Sequence, residues 1–234
     1  MNPDAWYAVP TANVPQCGRT FAAWKDQGYL TAALLDAGSD VPANADVAIW
    51  VPKYPGWPTA AAILCNALDA QYGASIIVTG GDDMLPDPHQ KAGEIAAGFV
   101  EHFPDLFGVM QPTGDRWMPD QEGTVAAERI CGSPWMGRSL WRSLNGGRGP
   151  FWPGYYHFYA DEEMHDVAGM LGILWQRPDL CQHHDHWIRR GDDRPEYLEP
   201  AKAAWGADQQ LFFSRKAAGF PGHERATYWQ RGDA

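Results

Sequence analysis

A strand pattern runs into a pair of acids in the segment Ser75-Ile76-Ile77-Val78-Thr79-Gly80-Gly81-Asp82-Asp83-Met84-Leu85-Pro86-Asp87-Pro88. Its uncharged, β-branched start predicts a short strand that is buried on both faces. Two glycines end this strand, and the prolines that follow prevent further regular pairing. Acids at the carboxyl end of a buried strand lie at the sheet edge where open α/β folds bind their ligands.

The two adjacent carboxylates of this segment, Asp82 and Asp83, repel each other. A divalent cation or a hydrogen-bonding ligand between them would relieve that repulsion. A Gly-Asp turn that merely ends a strand has the same sequence. Other features of the chain must therefore decide between a binding site and a simple turn.

Strand and helix patterns alternate along the rest of the chain. Apolar runs predict strands at residues 6–9, 30–35, 47–51, 76–78 and 107–110, and helical spacing predicts helices within 20–28, 59–68, 90–103, 133–144 and 161–171. Such alternation argues for a mostly parallel sheet covered by helices. With 234 residues, the chain is long enough for one substantial α/β domain.

The composition narrows the classes of partner. A formal net charge of −11 argues against tight binding to a polyanion, so a nucleic acid acceptor is not favoured, although a local basic strip leaves it open. Twelve Trp residues suggest aromatic surfaces that stack on carbohydrates or nucleobases, but Trp also fills cores. The four cysteines form no Cys-x-x-Cys pair, and no apolar run is long enough to span a bilayer. We therefore expect a cytoplasmic protein with reduced thiols and no membrane span.

The densest group of ligand-type side chains is the histidine cluster Gln182-His183-His184-Asp185-His186-Trp187. Imidazole together with carboxylate suits Mn, Fe or Zn. In an extended segment, His184 and His186 point to one face and His183 to the other. A solvated His-rich turn is the alternative interpretation.

Four features in this order resemble a nucleotide-sugar glycosyltransferase of the GT-A fold, close in pattern to glycosyltransferase family 2. The first is the predicted first strand with Pro10-Thr11-Ala12-Asn13, and the second is the segment Gly81–Pro86, which is similar to the Asp-x-Asp signature. The third is the helix start Asp161-Glu162-Glu163-Met164, which is similar to the family's Glu-Asp helix. The fourth is the histidine cluster. The resemblance extends from about residue 6 to about residue 222.

Two positions depart from the family pattern. Gly81 stands in place of the first acid of Asp-x-Asp, so Asp83 alone fits the usual metal position and Asp82 the middle one. Ala160 stands in place of the Glu of Glu-Asp, which leaves Asp161 as the matching general base.

The resemblance implies a single Rossmann-like GT-A domain over residues 1–234, with a mostly parallel central sheet and flanking helices. Residues up to about 90 would bind the nucleotide sugar, and residues from about 91 would bind the acceptor and carry the catalytic base. The implied reaction moves a sugar from a nucleotide-diphosphate sugar to a hydroxyl acceptor and uses Mn²⁺ or Mg²⁺. The resemblance favours inversion over retention of configuration at the sugar carbon.

The resemblance also implies roles for individual residues. Asp83, with His184 or His186 compensating for Gly81, would hold the metal, and Asp161 would take the acceptor's proton. The nucleotide contacts would come from the ends of the first, second and fourth predicted strands, at Pro10, Thr11, Asp36 and Asp82.

Three further expectations complete the sequence interpretation. A sugar-phosphate nucleotidyltransferase would share the sheet but usually has a Gly-rich, basic loop after the first strand, where this chain has only Gly18 and Arg19. A catalytically silent carbohydrate-binding protein of the same fold is the other alternative. The polar segment from Gln111 to Gly123 predicts a mobile loop near the acceptor, in which Trp117 either contacts a sugar or anchors the loop.

Overall fold

The strand predicted at residues 76–78 is present and lies in the middle of a seven-stranded sheet. In the computed structural model, which describes residues 4–223, the strands are β1 (Ala5–Pro10), β2 (Leu30–Asp36), β3 (Val47–Val51), β4 (Ile76–Val78), β5 (Met84–Leu85), β6 (Val109–Pro112), β7 (Trp135–Gly137), β8 (Leu174–Arg177) and β9 (His183–His184). The α-helices are α1 (Val14–Asp26), α2 (Trp57–Tyr72), α3 (Ala92–His102), α4 (Ala126–Arg129), α5 (Arg138–Ser143), α6 (Ala160–Met170), α7 (Trp187–Arg190) and α8 (Glu199–Ala217). Residues 1–3 and 224–234 of the predicted domain lie outside the described part.

The large sheet has the strand order β3-β2-β1-β4-β7-β6-β8. Strands β1 to β4 are parallel, β6 and β8 are parallel to each other, and β7 is antiparallel to both of its neighbours. Six strands therefore run in one direction and β7 runs against them. The predicted fold class, a mostly parallel α/β sheet with flanking helices, is confirmed. The division into halves near residue 90 stays a prediction.

A second, two-stranded sheet pairs β5 with β9 in antiparallel register, Met84 opposite His184 and Leu85 opposite His183. It joins the segment after β4 to the histidine cluster, although about a hundred residues separate the two in the chain. This small sheet is the element that assembles the site described below.

Aromatic side chains fill much of the core. Tyr7 of β1 stacks on Trp24 of α1, with ring centroids 3.9 Å apart, and the Trp24 indole Nε1 donates to the Met84 carbonyl at 2.7 Å. Trp135 and Trp141 are also completely or almost completely buried. Part of the Trp content that suggested binding surfaces is thus used for packing, which anchors β5 to α1.

The structure corrects three predicted elements. The predicted helix 133–144 is wrong at its start, because residues 135–137 form β7 and only residues 138–143 are α-helical. Gly137 allows β7 to pass close to the Leu106 carbonyl, where a Cβ atom would clash. Helix α1 begins at Val14 instead of residue 20, and α2 begins at Trp57 after Gly56 instead of at Thr59.

Two findings bear on the expected environment. No helix within residues 4–223 is long and apolar enough to cross a membrane. All four cysteines carry free thiols, three of them buried. The cytoplasmic location stays a prediction.

Candidate active site

The predicted nucleotide-binding residues lie at one edge of the large sheet. Pro10 pairs with Leu34, two residues before Asp36, and Thr11 follows directly on β1. Because β1, β2 and β4 are parallel neighbours, their carboxyl ends meet at this edge together with Asp82. The side chain of Asp36 is exposed there, and no hydrogen bond or ion pair within the described residues joins it to Thr11 or Asp82.

Asp82 is the buried anchor of the segment after β4. Asp82 is only 8% exposed. Its carboxylate accepts hydrogen bonds from the Thr11 hydroxyl and from Gln16 Nε2, the latter at 3.3 Å. Its backbone carbonyl accepts from the Thr20 hydroxyl at 2.6 Å. Burial, together with the charge of Asp83, raises the pKa of Asp82 to about 6. Thr11 and Asp82 are thus bonded to each other, and their contacts to a nucleotide stay a prediction.

Asp83 faces the histidine cluster. Its carboxylate Oδ1 lies 3.3 Å from His184 Nε2, and its backbone carbonyl accepts from the Asp185 amide at 2.8 Å. The β5–β9 pairing determines this approach, because it sets His184 opposite Met84, the residue after Asp83. The structure therefore brings together two of the three residues predicted to hold a metal.

His186, the third predicted ligand, lies beside His184 with ring centroids 4.9 Å apart. Its Nδ1 accepts the Ile188 amide at 3.2 Å and so caps α7, which leaves Nε2 for another partner. Burial and the neighbouring His184 lower the pKa of His186 to about 4, so the ring is neutral at neutral pH. His183 points elsewhere, towards Arg189, as the alternation along an extended segment predicts.

The described residues contain no group of three or more His, Cys, Asp or Glu side chains that could hold a metal ion. The Asp83–His184 pair nevertheless fits a divalent ion. Two ligand atoms about 2.1 Å from one ion and about 90° apart at that ion are about 3 Å from each other, and the observed separation is 3.3 Å. Metal binding stays a prediction, for which these two side chains supply compatible geometry.

A cleft of about 390 Å³ opens beside Asp83. Its walls come from α1, the small sheet and α7, and it is lined by Asn13, Gln16, Arg19, Thr20, Asp83, Leu85, Asp185, Arg190 and Asp192. Arg190 is paired with Asp185 and Asp192. Arg19 has no hydrogen bond or ion pair within residues 4–223, so its guanidinium is free to meet an anion.

Sequence reasoning missed the contribution of α1 to this cleft. Asn13, Gln16 and Thr20 are spaced at i, i+3 and i+7, which puts them on one helical face. The signal was readable, since Asn13 is a typical N-cap and its side chain does accept the Gln16 amide at 3.2 Å. Starting the helix at residue 20 concealed it.

Trp117 lies against the histidine cluster. Its ring centroid is 5.2 Å from those of His184 and His186, and the Arg189 guanidinium lies 5.4 Å from it. Arg189 in turn makes a two-pronged ion pair with Asp115, at 2.8 and 2.9 Å. The segment predicted as a loop from Gln111 starts later than expected, because residues 111–112 belong to β6. Its mobility stays a prediction.

Asp161 lies in the first turn of α6 at the same sheet edge. Its backbone carbonyl accepts the Cys131 amide at 3.1 Å, and two residues further on Ser133 packs against Gly80, just after β4. Within the described part of the chain, no hydrogen bond or ion pair links Asp161 to Asp83. Asp161 is also not among the residues that line the cleft beside Asp83.

The three acids at the start of α6 have different surroundings. Glu163 is buried, bonded to Arg215 at 2.7 and 2.8 Å and to the Tyr155 hydroxyl at 2.6 Å, so it holds α8 against α6. Glu162 is half-buried, and one of its carboxyl oxygens, Oε2, has no hydrogen-bond partner within the described residues. Asp161 has the mostly buried His157 as a neighbour, and burial lowers the pKa of that imidazole.

The comparisons with known proteins add little. No known protein family matches the sequence, and no curated protein is significantly similar to it. Among solved structures, A197 from STIV is similar with a TM-score of 0.45 and 9% identity, over 77% of this chain and 85% of that one. A glycosyltransferase involved in the glycosylation of the major capsid of PBCV-1 is similar with a TM-score of 0.35 and 8% identity, over 59% and 62%. Similarities this low carry no argument about function.

Proposed function

We propose that this protein is a metal-dependent glycosyltransferase that moves a sugar from a nucleotide-diphosphate sugar to a hydroxyl acceptor. The observation that carries the proposal is the Asp83–His184 pair beside a cleft, at the sheet edge that also holds Asp161. Such a transfer requires metal ligands, a cleft for the donor and a carboxylate base, and the cleft here contains Arg19 as a group that could meet the diphosphate.

The metal part of the site consists of Asp83, His184 and His186. A Mn²⁺ or Mg²⁺ ion held there would neutralise the diphosphate as it leaves, which lowers the barrier to breaking its bond to the sugar. The low pKa of His186 keeps this imidazole neutral, the form that binds metals. Because only a few protein side chains would bind the metal, some of its coordination positions would stay open for diphosphate oxygens.

The cleft supplies a second positive group. Arg19 lines it without a partner of its own within the described residues, and its planar guanidinium matches the geometry of phosphate oxygens. The negative diphosphate would then lie between the metal side chains and Arg19. The other predicted nucleotide contacts, Pro10, Thr11, Asp36 and Asp82, belong to the same proposal.

Asp161 is the proposed general base. Its carboxyl group lies in the N-terminal turn of α6, where the positive end of the helix dipole interacts favourably with negative charge. Its carboxylate would take the proton of the acceptor hydroxyl as the new bond to the sugar forms. A base opposite a leaving diphosphate gives direct displacement and hence inversion at the sugar carbon.

The structure gives no support for the nucleotidyltransferase alternative. The connection from β1 to α1 is only residues 11–13, in which Thr11 is bonded to Asp82 and Asn13 caps the helix. No glycine-rich, basic loop stands there. The other alternative, a catalytically silent carbohydrate-binding protein, is distinguished from a glycosyltransferase by the turnover measurement described next.

The test is a panel of nucleotide sugars, including UDP-glucose and GDP-mannose, in a thermal shift assay with Mn²⁺ or EDTA. We expect at least one donor to raise Tm with Mn²⁺ and not with EDTA, because a ligand that binds only the native state stabilises it. The same donor should be slowly hydrolysed. Asp4→Ala is the matched control, since Asp4 precedes β1 at the opposite sheet edge. Binding without any turnover would identify a silent binder, and no response to the whole panel would contradict the proposal.

A further inference from the structure

Glu162, the residue after the proposed base, has an unusual environment for an acid. Its carboxyl oxygen Oε2 is buried and has no hydrogen-bond partner among residues 4–223. Buried polar atoms are nearly always partnered, so each exception needs an explanation. An ionised carboxylate in this position would be a partly buried charge with one oxygen left without a donor, which is costly.

The charges around Glu162 make ionisation harder still. The acidic groups acting on it are Asp161, which is next to it, and Asp166, one turn further along α6. On the other elements near Asp161, burial keeps the Cys131 thiol and the His157 imidazole uncharged at neutral pH, and Asp208 of α8 is another acid. None of these groups offers a positive charge that would compensate an ionised Glu162.

A protonated Glu162 resolves both difficulties. A carboxylic acid can donate a hydrogen bond to the neighbouring Asp161 carboxylate, which lies within hydrogen-bonding reach. Two carboxyl groups within hydrogen-bonding reach of each other hold one proton between them, because ionising both would bring two negative charges together at a high cost in free energy.

We propose that Asp161 and Glu162 hold a single proton between them at neutral pH, that Glu162 carries it, and that the neutral Glu162 positions the Asp161 carboxylate. The catalytic part of this inference rests on the proposed function; the protonation of Glu162 does not. Glu162 is a positioning residue, and Asp161 remains the group that meets the substrate.

The balance of the transfer step leaves the Glu162 proton in place. The acceptor O–H bond breaks and its proton goes to Asp161, while the acceptor oxygen forms a bond to the sugar carbon. The bond from that carbon to the diphosphate breaks, and the diphosphate leaves with the electron pair. Glu162 donates its hydrogen bond throughout the step. A side chain that donates a hydrogen bond but cannot ionise should therefore be able to take over its role.

The environment predicts how the proton responds to pH. Burial first, and then the charge of Asp161, raises the pKa of Glu162 from 4.5 to about 9. The folded state therefore holds this proton more tightly than the unfolded state, and the contribution of Glu162 to stability falls as pH rises from about 4.5 to about 9. Glu162→Gln, which cannot ionise, should gain Tm relative to the unchanged protein across that interval.

The decisive experiment is a carbon-13 NMR titration of the full chain labelled at the glutamate side-chain carboxyl carbons. The Glu162 signal is identified by its loss in Glu162→Gln. We expect its titration midpoint above pH 7, and a lower midpoint in Asp161→Asn, which removes the neighbouring charge. A midpoint in the ordinary range for glutamate would overturn the proposal. This measurement needs no donor sugar, so it stands even if the panel above shows no transfer.

A second measurement tests the positioning role with the donors of that panel. We expect Glu162→Gln to keep transfer within about threefold and to retain it at high pH, where the unchanged protein loses activity as Glu162 ionises. Glu162→Ala should lose at least about tenfold at neutral pH, because it cannot donate to Asp161. Equal losses in the Gln and Ala variants, with a high NMR midpoint, would overturn the positioning role.

Discussion

The two sides of the proposed site differ in how completely their polar groups are bonded. On the donor side, Asp82, Thr11 and Gln16 satisfy one another, and the β5–β9 pairing holds Asp83 against His184. On the proposed acceptor side, two buried atoms, His157 Nδ1 and Glu162 Oε2, have no hydrogen-bond partner in the part of the chain that the structure describes. We infer that the donor side is completed by its own residues, whereas the acceptor side is completed by the proton proposed for Glu162, which leaves His157 Nδ1 for a substrate.

The acceptor side is not loosely held in spite of these unpartnered atoms. Asp208 of α8 accepts the backbone amides of residues 156, 157 and 158, each at 2.9 Å, and Arg215 holds Glu163. Helix α8 therefore fixes the backbone that precedes Asp161, while His157 Nδ1 keeps unused hydrogen-bonding capacity within the described residues. This division separates chemistry from binding, and the following predictions test it from the largest expected effect to the smallest.

The largest effect is expected on the acceptor side, from Asp161→Asn. This change keeps the shape of the side chain but removes the group that takes the proton. Turnover should fall by about two to four orders of magnitude, with donor affinity unchanged. Transfer rate and donor affinity are measured side by side. Near-normal transfer would place the base elsewhere, and loss of donor binding alone would make Asp161 a structural cap.

The choice of control for Asp161→Asn follows from the structure. Glu163→Gln is unsuitable, because it would break a buried ion pair with Arg215, at a cost of about 3–5 kcal/mol in stability. Asp166→Asn is the better control, since Asp166 lies on the same helix and pairs with Lys216 at the surface. We expect it to change transfer little.

A smaller effect is expected on the donor side, from loss of the metal ligands. Asp83→Ala should weaken Mn²⁺-dependent binding of UDP or GDP by about 100-fold or more, since outer-shell changes at metal sites alone cost about 10–100-fold. His184→Ala, which removes the atom 3.3 Å from Asp83, should weaken it more than His186→Ala. Isothermal titration with Mn²⁺ and with EDTA measures all three. Unaltered Mn²⁺ dependence in Asp83→Ala would refute the metal assignment.

Arg19→Ala should have a weaker effect, confined to the diphosphate. A single charged hydrogen-bonding group is worth about 1.5–3 kcal/mol, and exposure to solvent reduces this towards a loss of about tenfold in affinity. UDP should lose affinity and uridine should not. Lys53→Ala, another exposed basic residue, is the control. An equal loss for uridine would mean that Arg19 acts through the base or the fold.

The sequence predicts the first half of this molecule better than the second. Strands β1 to β4 are short apolar runs, buried in β1, β2 and β4 and only partly buried in the edge strand β3, and local composition is enough to place them. Strand β7 was missed because it lies between sheet neighbours that come from distant parts of the chain, and only that pairing tells residues 135–137 from the start of a helix.

The candidate site was predictable by residue type but not by contact. The Asp83 and His184 pairing depends on two strands of two residues each, which have no pattern of their own. Similarly, Glu162 and Glu163 are adjacent and chemically alike. Only the position of Arg215 on α8 shows that Glu163 is a structural residue, whereas Glu162 Oε2 has no hydrogen-bond partner within residues 4–223.

The smallest expected effect concerns the loop that joins the two sides. Its base is fixed by the Asp115–Arg189 pair, and Trp117 packs on the two histidines, whereas residues 118–123 are exposed. A glutamate-specific protease should therefore cut after the exposed Glu122, and UDP with Mn²⁺ should slow that cut a few-fold, because ligand at His184 fixes Trp117. Trp117→Ala should remove the protection without preventing donor binding. If the loop is equally resistant with and without UDP, Trp117 is an anchor to the protein and the loop does not order on binding. If protection persists in Trp117→Ala, the ordering contact lies elsewhere in residues 118–123.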